Sequence, residues 1–245
     1  MNKNMDVKQS EKNSTYSGAL LLDQNEKYLL NYNNWLSEKI IDQIGPKRKL
    51  KILDFGAGTG TLLKKIQQKV NLPIDAVELD PQQRAILRSC EVVCFQSMDF
   101  IENTKYDFIY TSNVLEHIED DIGSVQKLYS LLNPGGSLVI YVPALSVLWT
   151  ALDDRVGHFR RYNKKDLNFK LISSGFDVCE SYYCDSFGGI LALIFKLITR
   201  SDTLPSDRSL WIYDRVLFHL NKITDLLFKG FFGKNIFVVA KKPFI

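Results

Sequence analysis

The chain predicts an α/β fold built on a mostly parallel, doubly wound sheet. Three observations carry this expectation. Short apolar runs alternate with amphipathic runs along most of its 245 residues. The first apolar run passes through a turn containing Gly56, Gly58 and Gly60 into a helical pattern. The later apolar runs are separated by segments long enough for a crossover helix. Strands alternating with such helices pack as a parallel sheet covered on both faces.

The elements follow in order. Residues 23–44 read as a helix, because Tyr28, Tyr32, Leu36, Ile40 and Ile44 share one face. Asp23 and Glu26 resemble a capping box, and Gly45-Pro46 supplies the stop. Strands are expected at 50–55, 74–79, 92–95, 106–112, 137–143, 176–184 and 235–242. Helices are expected at 59–70, 80–90, 121–132 and 164–175. Pro81 stands at a first-turn position, where its missing N–H costs nothing. Residues 185–234 break the alternation with helices at 188–199 and 209–228. In the second, Leu210, Tyr213, Leu217, Leu220, Thr224 and Leu227 form a stripe, with Asp214, Arg215, Lys222 and Asp225 off it. It reads as an amphipathic helix covering something, within an insertion before the last strand.

Composition limits the function classes. With 31 basic and 28 acidic residues the net charge is +3, and no long basic run suggests nucleic acid. Cys90, Cys94, Cys179 and Cys184 lack metal-finger spacing and read as buried free thiols of a cytoplasmic protein. Residues 1–22 read as a polar, flexible tail before one domain over 23–245. The apolar run from Phe187 to Thr199 contains Lys196 and falls short of the roughly 20 residues a membrane crossing needs. It reads as a buried helix, with peripheral membrane contact left open.

The turn narrows the ligand. In open parallel sheets, ligands bind beyond the carboxyl ends of the strands. Dinucleotide sites favour G-x-G-x-x-G, but here the third glycine comes one position early, at Gly60. Asp54 would repel a pyrophosphate and attract an ammonium. Glu78, at the end of strand two, is placed to accept hydrogen bonds from ribose hydroxyls. These features favour S-adenosylmethionine and disfavour a nicotinamide oxidoreductase.

Four stretches, "LDFGAGTG", "VELDP", "YDFIYTSNVLEHIEDD" and "LLNPGGSLVIYVP", resemble successive motifs of the class I S-adenosylmethionine-dependent methyltransferases. The resemblance covers roughly residues 50 to 143. It implies a Rossmann-like, seven-stranded sheet with an antiparallel last strand. It also implies cofactor contacts from Asp54, Gly56, Ala57, Gly58 and Gly60 at the methionine end and from Glu78 and Leu79 near the ribose. Met98 and Asp99 would lie by the adenine, with Ser97 as an alternative, and Asn113 by the sulfonium. A narrower resemblance, through "NYNNWLSEKI" and "LWTALDDRVGHFRRYNKKDL", is to a bacterial subgroup of the type 11/12 kind.

Methyl transfer to a hydroxyl needs a base, whereas other acceptors need only positioning. His158 and His117 are the candidate catalytic residues, and both fall at the functional edge of the sheet. The alternative for His117 is a helix-start residue bonded to backbone. Arg160, Arg161 and Tyr162 are candidates for the acceptor site, where one arginine would grip an anion. The alternative is that both arginines pair with acids such as Asp153, Asp154 or Asp166. Some small-RNA and quinone-precursor O-methyltransferases carry E-x-x-E-H after strand four and a later histidine, which bind a divalent metal; the aligned residues here are Asn113, Glu116, His117 and His158, with the first glutamate missing. Asparagine is a weak neutral ligand, so no metal is expected. The expected activity is methyl transfer to a small-molecule, glycan or lipid-linked acceptor, at oxygen. A catalytically idle cofactor-binding or partner-binding domain is the alternative. A homodimer stays open.

Overall fold

The computed structural model describes residues 24, 26–46, 49–199 and 206–244, without side chains at 198 and 199. The expected tail, and Asp23 of the expected capping box, lie outside the described residues. A seven-stranded sheet forms the centre, in the order β3-β2-β1-β4-β5-β7-β6. The strands are β1 (Ile52–Phe55), β2 (Ile74–Val77), β3 (Cys94–Phe95), β4 (Tyr106–Ser112), β5 (Leu132–Pro143), β6 (Asp177–Cys184) and β7 (Asn235–Lys241). Strands β1 to β5 pair in parallel, and β7 runs antiparallel to both β5 and β6. Strand order reverses between β1 and β4, which opens a crevice at their carboxyl ends.

Helices cover both faces, as the alternation predicts. On one face lie α1 (Leu30–Ile44), α2 (Thr61–Val70) and α3 (Pro81–Ser89), which bury Leu36, Ile40, Leu63, Ile66 and Leu87 against Phe108, Tyr110 and Val139. On the other lie α4 (Asp121–Leu131) and α6 (Lys164–Ser173), which bury Val125, Leu128, Leu167 and Leu171 against Ile109, Leu138 and Ile140. Burying one such side chain contributes roughly 1.5–3 kcal/mol, so either layer is worth many times a surface ion pair. Helix α3 begins as expected, with Pro81 inside and the Asp80 carboxylate accepting from the amides of Gln82 and Gln83.

Three local expectations change. Strand β5 starts at Leu132 rather than 137, because Leu132 pairs with Tyr106 and the Gly135 amide bonds the Lys242 carbonyl. Cys90 and Cys179 are exposed, and only Cys94 and Cys184 are buried. The N-terminus of α1 carries no local side-chain cap. Its amides at Asn31 and Tyr32 instead donate to the buried Asp214 carboxylate, at 3.0 and 2.9 Å.

Asp214 belongs to the segment before β7, and there the amphipathic expectation holds only in part: Leu210, Tyr213, Leu217 and Thr224 are half-buried and Arg215 and Lys222 exposed, as expected, but Asp214 turns inward. This segment comprises α7 (Ser186–Thr199), α8 (Asp207–Ile212), a π-helical turn (Tyr213–Leu217), a short 3-10 turn and α9 (Asn221–Phe228). Asp185, Asp214 and Asn221 are buried, while Trp211, Val216, Ile223, Leu226 and Leu227 are exposed. The reason is capping. Asp225 accepts from the Ser186 amide and Asn221 from the Phe187 amide, so these polar groups close the start of α7 and must face inward. Leu220 and Leu227 of the expected inward stripe are left at 40% and 68% exposure. Among the described residues, no helix is long and apolar enough to cross a membrane.

Candidate active site

The carboxyl ends of β1, β2 and β4 bring most of the sequence-predicted residues to one edge. After β1 the chain turns through Gly56 and Gly58 with φ of +83° and +56°. A Cβ on Gly56 would lie 2.2 Å from Val114, and the left-handed backbone at Gly58 strains any other residue. Gly60 serves neighbouring helices rather than the strand, since a Cβ there would press on Leu87 of α3. Glu78 braces the turn. Its carboxylate accepts from the Gly58 amide at 2.7 Å and from the Asp80 amide at 2.9 Å. Leu79, beside it, is 72% exposed at the strand end, an apolar surface open to a flat ring.

Beneath the turn, Asp54 is buried. Burial pushes its carboxyl up to about 7; Tyr110 opposes the shift and Glu78 adds to it. Helix α2 starts at Thr61 with no side-chain cap. Its first amides therefore stay available to an anionic group such as a carboxylate. Met98 is partly buried, and Asp99 is exposed and paired with Lys127 at 3.1 Å. The Lys127 bond holds the Asp99 carboxyl below its usual range. Asn113 follows β4 in a left-handed turn, φ +53°, fixed by its amide's bond to the Tyr141 carbonyl.

A second cluster lies past Asn113, where the loop after β5 returns to β4. The Phe159 amide bonds the Glu116 carbonyl, and the Tyr162 amide bonds the Pro143 carbonyl. This places His158 beside His117, with ring centroids 4.6 Å apart. Both lie beside Glu116, the glutamate that aligns with the metal-dependent pattern. Glu116 is fully buried, and neither carboxylate oxygen has a hydrogen-bond partner. Burial pushes its carboxyl up to about 8. Burial and the neighbouring His158 push His117 down to about 4, so His117 is neutral at physiological pH.

Asp153, in the short helix α5 (Ala151–Val156), organises the cluster. Its carboxylate accepts from the Thr150 amide, from His158 Nδ1 at 2.7 Å, and from Arg161 through two nitrogens. Burial opposes its ionisation, yet the bonds from His158 and Arg161 hold it well below the usual carboxylate range. With Nδ1 bonded to Asp153, the Nε2 of His158 lies 3.9 Å from Glu116 Oε1. Arg160 is tied to Asp121 at 2.8 Å and to the Glu119 carbonyl, and Tyr162 donates to Asp121 from a buried position. Both arginines and the tyrosine thus have partners within the chain, the arrangement weighed above as the alternative to anion binding.

An open parallel sheet, a glycine turn braced by a strand-two glutamate and free helix amides at its mouth define an S-adenosylmethionine-dependent enzyme of the Rossmann-like class. The turn fits that cofactor: amides for its carboxylate, Glu78 with lone pairs to spare, and an exposed Leu79. Residues 28–181, more than half of the chain, match the model of the methyltransferase domain family, and the chain belongs to that family. It is an S-adenosylmethionine-dependent methyltransferase. A malonyl-[acyl-carrier protein] O-methyltransferase of Ilyobacter polytropus is 26% identical over 80% of this chain and 78% of its own length. Among solved structures, phosphoethanolamine N-methyltransferase 2 of Haemonchus contortus, in complex with S-adenosyl-L-methionine, is 18% identical with a TM-score of 0.58. That alignment covers 85% of this chain and 52% of the other. A cyclopropane synthase of Mycobacterium tuberculosis is 12% identical with a TM-score of 0.58, covering 85% and 83%.

Proposed function

We propose that the chain methylates an oxygen of an apolar or lipid-linked small molecule. The observation that carries this is the group of Glu116, His117 and His158 one turn beyond Asn113. A hydroxyl acceptor must be held and lose its proton as it attacks, and imidazoles beside a buried acid can take that proton. An O-methyltransferase among the relatives supports oxygen.

S-adenosylmethionine, when bound, supplies an activated methyl on a sulfonium. The residues around it have separable tasks. The glycine turn, Asp54 and the first amides of α2 hold the methionine end, Glu78 and Leu79 the ribose side, and Met98 and Asp99 the adenine. Asn113 stands by the sulfonium. His158, oriented by Asp153, and His117 act on the acceptor oxygen. Arg161 and Tyr162 hold the loop, and Arg160, a quarter exposed, lines its mouth. Excluding water and aligning the two reactants supplies much of the rate.

The apolar acceptor is supported by the surface next to this edge. Lys196 of α7 donates to the Val147 carbonyl at 2.8 Å, which ties the segment before β7 to the loop after β5. Val147 and Phe159 are exposed there, as are Ile194, Phe195 and Leu197. Arg208, Arg215, Lys222 and Lys229 interleave the apolar face farther along. Apolar side chains among cations suit an anionic lipid surface. In this reading the described residues between β6 and β7, 186–199 and 206–234, form the membrane-facing part of one domain.

Labelled S-adenosylmethionine offered with lipid extracts, quinone precursors and soluble polar acceptors tests the reading. The expected product is an extractable methyl ether or ester. Label confined to polar acceptors, or to nitrogen, overturns it.

A further inference from the structure

We infer that the groove between α1 and α9 binds the phosphate headgroup of one anionic phospholipid. The groove encloses about 480 Å3, a volume typical of small-ligand sites, and is lined by Trp35, Lys39, Tyr182, Lys222, Leu226 and Lys229. It lies at the edge strand β6, on the face that α1 covers. None of these residues builds the cofactor turn or the histidine cluster, so the groove is a second site. This rests on the lipid-surface reading above, and the groove gives that surface one fixed point of attachment.

Lys39 is what calls for an anion. Its ammonium is half-buried and stands over three rings, 5.1 Å from the centroids of Trp35 and Tyr182 and 5.8 Å from that of Phe237. It donates to the Tyr182 hydroxyl at 3.2 Å. An ammonium carries three donors, so two remain for the oxygens of a ligand. Ring faces attract the cation without neutralising it, and a charge drawn partly out of water favours a counter-ion. Among the described residues, Lys39, Lys222 and Lys229 form no ion pair with a carboxylate.

Two acids also line the groove, and neither closes it. Asp225 is spent on the start of α7, where it accepts from the Asp185 and Ser186 amides at 3.3 and 2.8 Å. Glu180 is exposed on the edge strand. Three ammoniums against one uncommitted carboxylate leave a positive groove that a phosphate completes.

The walls favour a lipid over a soluble phosphate. Leu226 is 72% exposed, and Ile223 and Leu227 of the same helix are 62% and 68% exposed. An acyl chain leaving the groove would run onto this face while its phosphate stays among the lysines. Trp35, apolar in body and polar at its edge, suits the boundary between the two. A hollow of about 160 Å3 continues the groove along α1, sharing Trp35 and Lys222 and lined further by Phe218. It leaves room for the glycerol that joins phosphate to chain.

The test uses the whole chain and dihexanoyl phosphatidic acid, kept below the concentration at which it forms micelles, with tryptophan fluorescence and calorimetry as readouts. We expect one equivalent bound per chain and a change in Trp35 emission, which Trp35→Phe removes while calorimetry still records binding. Glycerol 3-phosphate and inorganic phosphate, which lack apolar contacts, should bind at least about ten-fold more weakly. Lys39→Gln should weaken lipid binding at least about ten-fold, through loss of charge-assisted hydrogen bonds. The exposed pair Lys222→Gln with Lys229→Gln should do the same, about ten-fold, without touching the packed rings. S-adenosylmethionine affinity and thermal unfolding, measured on the same samples, should not change in that pair. Binding no tighter than about millimolar, an emission change that persists in Trp35→Phe, or full affinity in folded Lys39→Gln overturns the site. Glycerol 3-phosphate binding as tightly as the lipid overturns the lipid assignment. A dimer that Lys39→Gln dissociates, with no lipid bound by wild type, gives the groove to a second copy and overturns it too. No lipid in the groove while an extractable methyl product still forms leaves the acceptor reading standing. Lipid in the groove with label only on polar acceptors overturns the acceptor reading and leaves the groove standing.

Discussion

Asp153 and His158 are joined by a 2.7 Å hydrogen bond from Nδ1 to a carboxylate oxygen that Arg161 also holds. Asparagine at 153 keeps the size but loses the charge. Arg161, only 10% exposed, is then left in the interior without its counter-ion. Breaking a buried pair costs about 3–5 kcal/mol, so Asp153→Asn should lower the unfolding midpoint visibly. Turnover should fall, while affinity for S-adenosylmethionine stays within about two-fold of wild type, because the glycine turn is untouched. Calorimetry and initial rates check the split. Equal losses in both would move Asp153 from the acceptor side to general support.

Gly58→Val and Glu78→Ala probe the other side of the crevice. Valine at a φ of +56° costs about 1–2 kcal/mol in the backbone, and its branches enter the space in front of the turn. S-adenosylmethionine binding should be lost with the sheet intact. Glu78→Ala removes the acceptor of two amides as well as the proposed ribose anchor. Its affinity loss should be about 1–3 kcal/mol, roughly 5–150-fold. Full affinity in Glu78→Ala by calorimetry would remove Glu78 from the cofactor site.

The difference between legible and hidden features is local against long-range. The alternation of strands and helices, Pro81 as a first helical residue and the turn at Gly56–Gly60 rest on neighbours in sequence, and the structure reproduces them. Asp214 capping α1 from 183 residues away leaves no local trace. The stripe at Leu210–Leu227 is equally periodic whichever way it faces. The exposure of Leu220 and Leu227 within it is decided by Asp185, Asn221 and Asp225, whose partners are set by the packing of α7. Glu116 is legible as a residue aligned after strand four, but "LEH" does not show that the glutamate is sealed from solvent. Arg160 and Arg161 were correctly seen as wanting acids, yet Asp121, the partner of Arg160, was not among those considered.

The exposed apolar face predicts lipid association. Trp211, at 50% exposure, and Leu226, at 72%, contact solvent and carry no part of the crevice. Trp211→Glu with Leu226→Glu should reduce co-sedimentation with anionic vesicles about ten-fold or more and leave S-adenosylmethionine affinity unchanged. A drop from dimer to monomer in light scattering, with no vesicle binding by wild type, would assign the face to a second copy of the chain.

Asp54 predicts a proton released on cofactor binding. In the free protein its carboxyl titrates at about 7, because burial disfavours the charged form. An unfolded aspartate titrates near 4, so the native state holds this proton more tightly. Asp54 therefore favours folding most below about pH 4, and that contribution is lost as pH rises to about 7. Bringing the cationic methionine end of the cofactor to the turn stabilises the ionised form and lowers the carboxyl's pKa. Below pH 7 binding must then expel a proton, and affinity must rise with pH until about 7 and level off. Tyr110 does not mimic this, because burial keeps its hydroxyl protonated. Calorimetry at pH 6 in buffers of different ionisation enthalpy should give up to one proton released for wild type. It should give close to none for Asp54→Asn, and close to none for wild type at pH 8.5. Equal proton release by wild type and Asp54→Asn would show that the buried aspartate stays in one protonation state throughout, and would detach it from the cofactor's charge.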